Sequence, residues 1–476
     1  MPNLNREQNT SNLFLFFSIF WCISTLVHQL IWTEWFSDTI PLAWVISFLC
    51  VAHLITFGKY KILFVLAIIS SAFWYVIQQP LVVNHLYFET IISLLMTTVV
   101  IGYYLKQRLT STLVSLPAYF TDNAFPLLRS SIIILYFFVV LHKLNYDFFK
   151  TDISCGAVLF ENMLHNLQLT RLEFIENFYE NNQHRIANFS IYFSIIAELL
   201  IPILLLFKRT RNLGLVFAMV FHFILALEGL GAIVSFTTMM FTYLLLFSSD
   251  ELIEKAIRTT KKYQSYLRLG FMVALVIIAI SFIISHNIFN KVVGLIWLIY
   301  SISVIIFFAR NIKLHSNNAV KLSSKSLIYW IFPLLVFVNG FAPYLGLKTQ
   351  TSFSMFSNLI TENGRTNHFF IPNEFQVFDY QKELVYIDDT NMKNLLSDDV
   401  WNKGVSYNYL LFEFVKKVKG TDEGYVKFKV NNTSHYIEKH QGKVIKSSIN
   451  LNQNSILNKL LLFRPVYSKN ISYCQQ

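Results

Sequence analysis

Charge is scarce in this chain. Only 14% of its 476 residues are Asp, Glu, Lys or Arg, against about 25% in an ordinary soluble domain. That shortage excludes a conventional water-soluble enzyme. Four cysteines are too few for a disulfide framework. Fifteen glycines and ten prolines are too few for a collagen-like or low-complexity chain. There is no Walker loop, no Rossmann glycine pattern and no His-Glu-x-x-His, and no His-x-x-x-His falls inside an apolar run. What is abundant is apolar: 54% hydrophobic residues, 46 phenylalanines and a mean hydropathy of +0.47. Disorder is excluded as well. The net charge of +11 raises nucleic acid as a partner. The basic residues lie in short loops between apolar runs rather than in one patch, so nucleic acid is rejected.

About eleven runs approach bilayer length: 13–32, 41–57, 62–77, 82–105, 130–149, 190–207, 213–228, 231–247, 266–284, 292–309 and 327–345. The first holds Trp21 and Trp32 and no cleavage site follows it, so it reads as an anchor, not a signal peptide. With a cytoplasmic N-terminus, the inside segments carry 17 Lys and Arg and the outside loops 4, a bias that sets orientation. The fold expected is an all-α polytopic membrane bundle over 1–345, followed by an extracytoplasmic, β-rich domain over 346–476. The strand signals there are the alternating stretches at 383–387 and 425–430. Segment 150–189 reads as an interfacial helix pair. Cys155 and Cys474 both fall outside. Two free thiols are the expected state, since Cys474 lies in a terminal stretch; a bridge is the alternative.

An ionisable residue at mid-membrane costs roughly 2.5–3.5 kcal/mol on insertion scales, so each one inside a span needs a reason. At about 1.5 Å per residue, His85, Glu89, Lys143, Glu198 and His222 lie roughly 5–12 Å below the outer face, on four spans. The pattern predicts that His85, Glu89, Lys143 and His222 converge on one cavity, with Glu89 serving His85 across one helical turn. Glu228 reads as interfacial and solvated. Asn145 and Asp147 suggest a polar pocket around Lys143. A lysine there either snorkels outward or loses solvation and acts as a base. The other groups read equally well as interhelical hydrogen-bond partners.

These residues carry a resemblance. Tyr136-Phe-Phe-Val-Val-Leu-His-Lys-Leu-Asn-Tyr-Asp-Phe-Phe149 resembles the core signature of the vitamin K-dependent gamma-carboxylase family, whose membrane part is the horizontally transferred transmembrane domain. Asn84-His85-Leu-Tyr87, Ala197-Glu-Leu-Leu-Ile-Pro202, and Val220-Phe-His222 with Phe241-Thr-Tyr-Leu-Leu-Leu246 resemble three further steps in the same order. The likeness covers roughly 10–345, and more weakly 353–371. His142 stands where the family has a first lysine, and the tail is shorter. The resemblance implies lyase and monooxygenase chemistry. The lysine matching Lys143 deprotonates a reduced, vitamin K-like quinone, supported by the histidine matching His85. Dioxygen converts the quinone to an epoxide, and a glutamate of a secreted peptide is carboxylated. Glu89, Asn145, Asp147, Glu198 and His222 would support the pocket. Phe353, Met355, Phe356, Asn358, Arg365 and His368 would line its mouth for substrate. No metal is expected; the partners expected are the bilayer, a lipidic quinone and a secreted peptide. The rival readings are a non-catalytic scaffold or peptide-export partner with a lipid- or quinone-binding cavity, and a secondary transporter. Matching halves with broken spans, a transporter mark, are lacking.

Overall fold

The computed structural model describes residues 2–81, 83–110, 114–228, 231–312, 320–395, 407–467 and 474. The helices are α1 (Pro2–Ile31), α2 (Leu42–Ile55), α3 (Lys61–Ile77), α4 (Asn84–Thr110), α5 (Leu116–Asn123), α6 (Phe125–Lys143), α7 (Cys155–Asn166), α8 (Glu173–Leu206), α9 (Arg211–Ala226), α10 (Ala232–Leu244), α11 (Asp250–Lys262), α12 (Gln264–Ile284), α13 (His286–Arg310) and α14 (Ile331–Leu345). Among the described residues, seven helical stretches are long and apolar enough to cross a membrane: Gln8–Ile31, Asn84–Thr110, Leu116–Lys143, Glu173–Leu206, Gln264–Ile284, His286–Arg310 and Leu327–Leu345. The other four predicted runs correspond to shorter apolar helices, Leu42–Ile55, Lys61–Ile77, Arg211–Ala226 and Ile233–Phe247.

Local chemistry sets the breaks. Ser115, Ser249 and Ser285 each cap the helix that follows, their side chains accepting a backbone N–H. Pro117 and Pro126 sit in first turns, where a missing N–H costs nothing. The bundle core is aromatic. Phe14 meets Phe64 and Phe120 edge to face, at 5.5 and 5.3 Å between centroids. The hairpin of α12 and α13 is turned outward; only 6% and 22% of their apolar windows are buried. Helix α11 occupies the polar stretch between two of the apolar runs. Its Leu252, Ile253, Ala256 and Ile257 are buried on one face, and acidic first-turn and basic last-turn residues suit the helix dipole.

The interfacial pair is corrected. Helix α7 is a separate amphipathic element, but its expected partner continues unbroken into the next span as α8, 34 residues long. No glycine or proline interrupts residues 173–201. Helices α7 and α8 cross closely at Gly156, where a Cβ would stand 3.1 Å from Ile191 Cα.

Beyond α14 the chain does not leave the bundle at once. Phe353 is 2% exposed and belongs to the main core. This loop holds Thr351, Phe353, Phe356 and Asn358 at φ of 57°, 65°, 55° and 54°, a left-handed region that costs non-glycine residues of order 1–3 kcal/mol each. External partners hold Phe353 and Asn358 there. Phe353 N–H donates to Asn84 Oδ1 at 2.6 Å. Asn358 accepts from Cys155 N–H at 2.8 Å and donates to the Ile153 carbonyl at 2.9 Å.

A six-stranded antiparallel sheet follows, made of β1 (Leu384–Thr390), β2 (Tyr407–Leu410), β3 (Gly424–Val430), β4 (Thr433–His440), β5 (Lys443–Ser447) and β6 (Val466–Tyr467), in the order β5-β4-β3-β1-β2-β6. Val426, Phe428 and Val430 alternate inward on β3. They meet Phe414, Val415 and Val418 of α15 (Leu411–Lys419). Asn431-Asn432 and Gln441-Gly442, all at positive φ, make the two-residue hairpin turns. Lys439 Nζ donates to the carbonyls of Val418, Lys419 and Thr421, closing the end of α15. A last short helix, α16 (Ser455–Leu460), leads back to the bundle. There Arg464 Nε donates to Glu362 Oε1 at 2.6 Å, both groups buried.

The expectation of two free outer thiols is overturned. Cys155 and Cys474 form a disulfide with Cα atoms 4.8 Å apart, packed with Phe148, Ile191 and Phe356. The anchoring of Cys155 by Asn358 makes the meeting possible. Cys22 and Cys50 are free and buried.

Candidate functional site

Helix α6 ends at Lys143, and Asn145 takes over the chain direction. Its Oδ1 accepts from the N–H groups of Asp147 and Phe148, at 3.1 and 3.0 Å. Its Nδ2 donates to the carbonyls of His142 and Ser357, at 2.7 and 2.6 Å. Asn145 therefore fixes the exit from the helix that aims Lys143, and it ties that exit to the loop after α14. Asp147 accepts from Lys150 Nζ at 2.6 Å and from Asn367 Nδ2 at 3.0 Å. Asn145 and Asp147 are framework, and neither lines the cavity beside them.

That cavity has a volume of about 550 Å³, a size suited to one small lipidic molecule. Helices α4, α6, α7, α8, α9 and α10 and the loop at 353–356 enclose it. Its walls are mostly aromatic and aliphatic. Lys143 points inward and donates to both oxygens of Glu198, at 2.5 Å each; each residue is 6% exposed. Pro202, one turn beyond Glu198, has no N–H to give the Glu198 carbonyl, so the helix ladder is interrupted at that point. His222 Nε2 shares a 2.7 Å hydrogen bond with the Tyr136 hydroxyl. His85 Nε2 shares one of the same length with Ser235. Phe236 lies between the two rings, 5.8 and 5.2 Å from their centroids. The walls reach the outer surface: Phe189, Phe193, Leu167 and Ile224 line the cavity and are also 65%, 38%, 42% and 38% exposed. Between α7, α8 and α9 the same side chains therefore form both the cavity wall and the surface.

Four predicted groups, His85, Lys143, Glu198 and His222, thus share one space. Glu89 does not. It accepts from the Tyr243 hydroxyl at 2.8 Å, and His85 turns to Ser235, so the expected pairing of Glu89 with His85 is corrected. One helical turn aligns the two residues on α4, but each meets its own partner on α10, Ser235 for His85 and Tyr243 for Glu89. The carboxylate facing Lys143 is Glu198. Phe353, Met355 and Phe356 line the cavity; Asn358, Arg365 and His368 do not. Asn358 anchors backbone, as described above, and Arg365 is exposed. His368 Nε2–H donates to the Leu141 carbonyl at 3.0 Å, and its Nδ1 accepts from Phe370 and Ile371 N–H. Burial lowers the His368 pKa from its ordinary value.

Sequence reading placed Glu228 in water, but it is 8% exposed and lines the cavity. It also missed the wall made by α7. Gly156, Leu159, Phe160, Met163 and Leu167 face inward at helical spacing, a periodicity legible in retrospect. Lys348, just past α14, is buried with Nζ 3.7 Å from the Tyr87 ring centre. Burial pulls its pKa down to about 7. Among the described residues no group of three His, Cys, Asp or Glu is arranged to hold a metal ion. Comparison with protein-family models, curated proteins and solved structures finds no match for this chain.

Proposed function

We propose that this chain is a multi-pass membrane enzyme that takes a reduced, lipidic quinone into the cavity and couples its oxidation to carboxylation, or another modification, of a secreted substrate. The observation that carries the proposal is the Lys143–Glu198 pair, buried in a mostly apolar cavity whose wall also forms the surface between α7, α8 and α9. A bound reduced quinone would supply the reducing chemistry, and Phe221, Phe236 and Phe356 on the cavity wall would hold its ring. The pair would divide the work expected of a lone lysine: Glu198 would accept the proton, and the Lys143 ammonium would balance the negative charge left behind. His222, held by Tyr136, and His85, held by Ser235, present further polar edges to the ring.

In this reading all eleven apolar helices cross, the N-terminus is cytoplasmic and the tail is extracytoplasmic. Contacts between loops support it, because they respect the assigned sides. Asn9 reaches Asp250, and Lys325 reaches Asp122, on the inner side. Gln78 reaches Asp38, and Asn84 reaches Phe353, on the outer. A disulfide at Cys155 also suits an oxidising compartment. In intact cells, a membrane-impermeant reductant followed by a membrane-impermeant maleimide should label Cys155 and Cys474 and leave Cys22 and Cys50 unlabelled. Peptide mapping reads the sites.

The test of function is epoxide formation from vitamin K1 hydroquinone by the purified chain in detergent, with dioxygen and bicarbonate, read by chromatography. Epoxide from the wild type and none from Lys143→Met/Glu198→Gln is the expected result. A second reading, a non-catalytic lipid- or quinone-binding protein, is favoured by the closed geometry of the pair, which satisfies both groups without a ligand. Quinone co-purifying with a chain that forms no epoxide would select it.

A further inference from the structure

The cavity has a second polar end. Glu228 lies just past the last turn of α9, six residues beyond His222, or roughly 9 Å further along the axis at helical rise. It is 8% exposed and faces the same space as Lys143. Asn162 of α7 places Nδ2 3.4 Å from Oε1, a long contact. The other oxygen, Oε2, is buried and has no hydrogen-bond partner among the described residues. The cavity's other carboxylate, Glu198, is matched by Lys143 at 2.5 Å. Glu228 is therefore a carboxylate with no matching cation on the cavity wall. Its neighbours are apolar: Met163, Leu225, Leu227 and Ile233 line the same end. An unpaired buried carboxylate oxygen is costly, and a donor brought by a ligand removes that cost.

We propose that Glu228 binds the ammonium group of a long-chain primary amine whose chain lies along the aromatic wall. Three observations select this class. The open oxygen belongs to a carboxyl group and has no donor, so it suits a cation or donor and disfavours a second carboxylate. The walls between it and the Lys143 end are apolar, which suits an aliphatic chain. Phe189, Phe193, Leu167 and Ile224 belong both to the cavity wall and to the exposed apolar surface of the bundle, where an amphiphile is already concentrated. The inference rests on reading the cavity as a site for a lipidic ligand and adds a second recognition point, separate from the reacting pair. It also excludes an acidic side chain from this end. The ammonium belongs either to a free long-chain amine or to an aminophospholipid headgroup.

Native mass spectrometry of the full chain in detergent, titrated with dodecylamine, dodecanol or laurate, tests the proposal. The wild type should bind dodecylamine tightest and laurate weakest. Glu228→Gln should weaken dodecylamine by about tenfold or more, the loss of a charge-assisted hydrogen bond, and leave dodecanol unchanged. Lys143→Met/Glu198→Gln should keep dodecylamine binding while losing quinol oxidation, so the two readings fail separately. Equal dodecylamine binding by Glu228→Gln and wild type overturns the proposal. So does laurate binding as tightly as dodecylamine to the wild type, a comparison that stands even if the variant does not fold. With the proposal supported, nanodiscs of phosphatidylethanolamine against phosphatidylglycerol identify the source. Weaker dodecylamine binding in the former points to the headgroup, and equal binding to a free amine.

Discussion

Lys143→Met should destabilise the purified protein by about 3–5 kcal/mol, the usual cost of leaving one member of a buried ion pair without its partner. Glu198→Gln should do similar harm from the other side. The double variant Lys143→Met/Glu198→Gln should recover most of the loss, because neither charge then remains in the apolar cavity. Unfolding in mixed micelles, followed by circular dichroism across the four proteins, gives the coupling as a double-mutant cycle. Additive single effects would mean that the 2.5 Å contact carries no energy of its own. Quinol oxidation should be absent from both single variants and from the double, so stability and activity separate only in the double variant.

Arg464→Met should cost about as much, about 3–5 kcal/mol, at a different place. Glu362 is 3% exposed, and Arg464 approaches both of its oxygens and the Leu359 carbonyl. The Leu462 carbonyl beside it accepts from Thr349 and Gln350 N–H, at 3.1 Å each. Removing the guanidinium should release 461–467 from the mouth loop while the sheet keeps its own core of Val385, Phe414 and Phe428. Hydrogen exchange should therefore quicken at 349–364 and 461–467 and stay slow in β3 and β4. Uniform quickening through the sheet would show that the pair holds up the whole tail.

Much of this architecture is legible in residue order because depth along a helix is additive. Counting 1.5 Å per residue places His85, Lys143, Glu198 and His222 in one layer, and they do share a cavity. The same count includes Glu89, which faces Tyr243 instead. Depth carries no information about azimuth, and azimuth depends on which helices become neighbours. The partner of Lys143 lies 55 residues away on α8 and that of Cys155 lies 319 residues away, so no local pattern identifies either. The strands at 383–387 and 425–430 were easier, since alternation is a local signal. Asn358 and His368 were misread for the opposite reason. Their donors and acceptors look available in a loop, but backbone groups already use them: those of Ile153 and Cys155 for Asn358, and those of Leu141, Phe370 and Ile371 for His368.

The left-handed residues at 351–358 bear on how this region can evolve. Phe353 and Asn358 hold their backbone against fixed partners on α4 and around the start of α7, and the Thr351 carbonyl accepts from Asn339 of α14. Point substitutions that preserve those partners are tolerable. Inserting or deleting a single residue shifts every later side chain to the wrong partner and leaves the unfavourable φ values without support. In a family of such chains, length should be invariant between Gly346 and Asn358, and gaps should gather instead around the outward hairpin of α12 and α13.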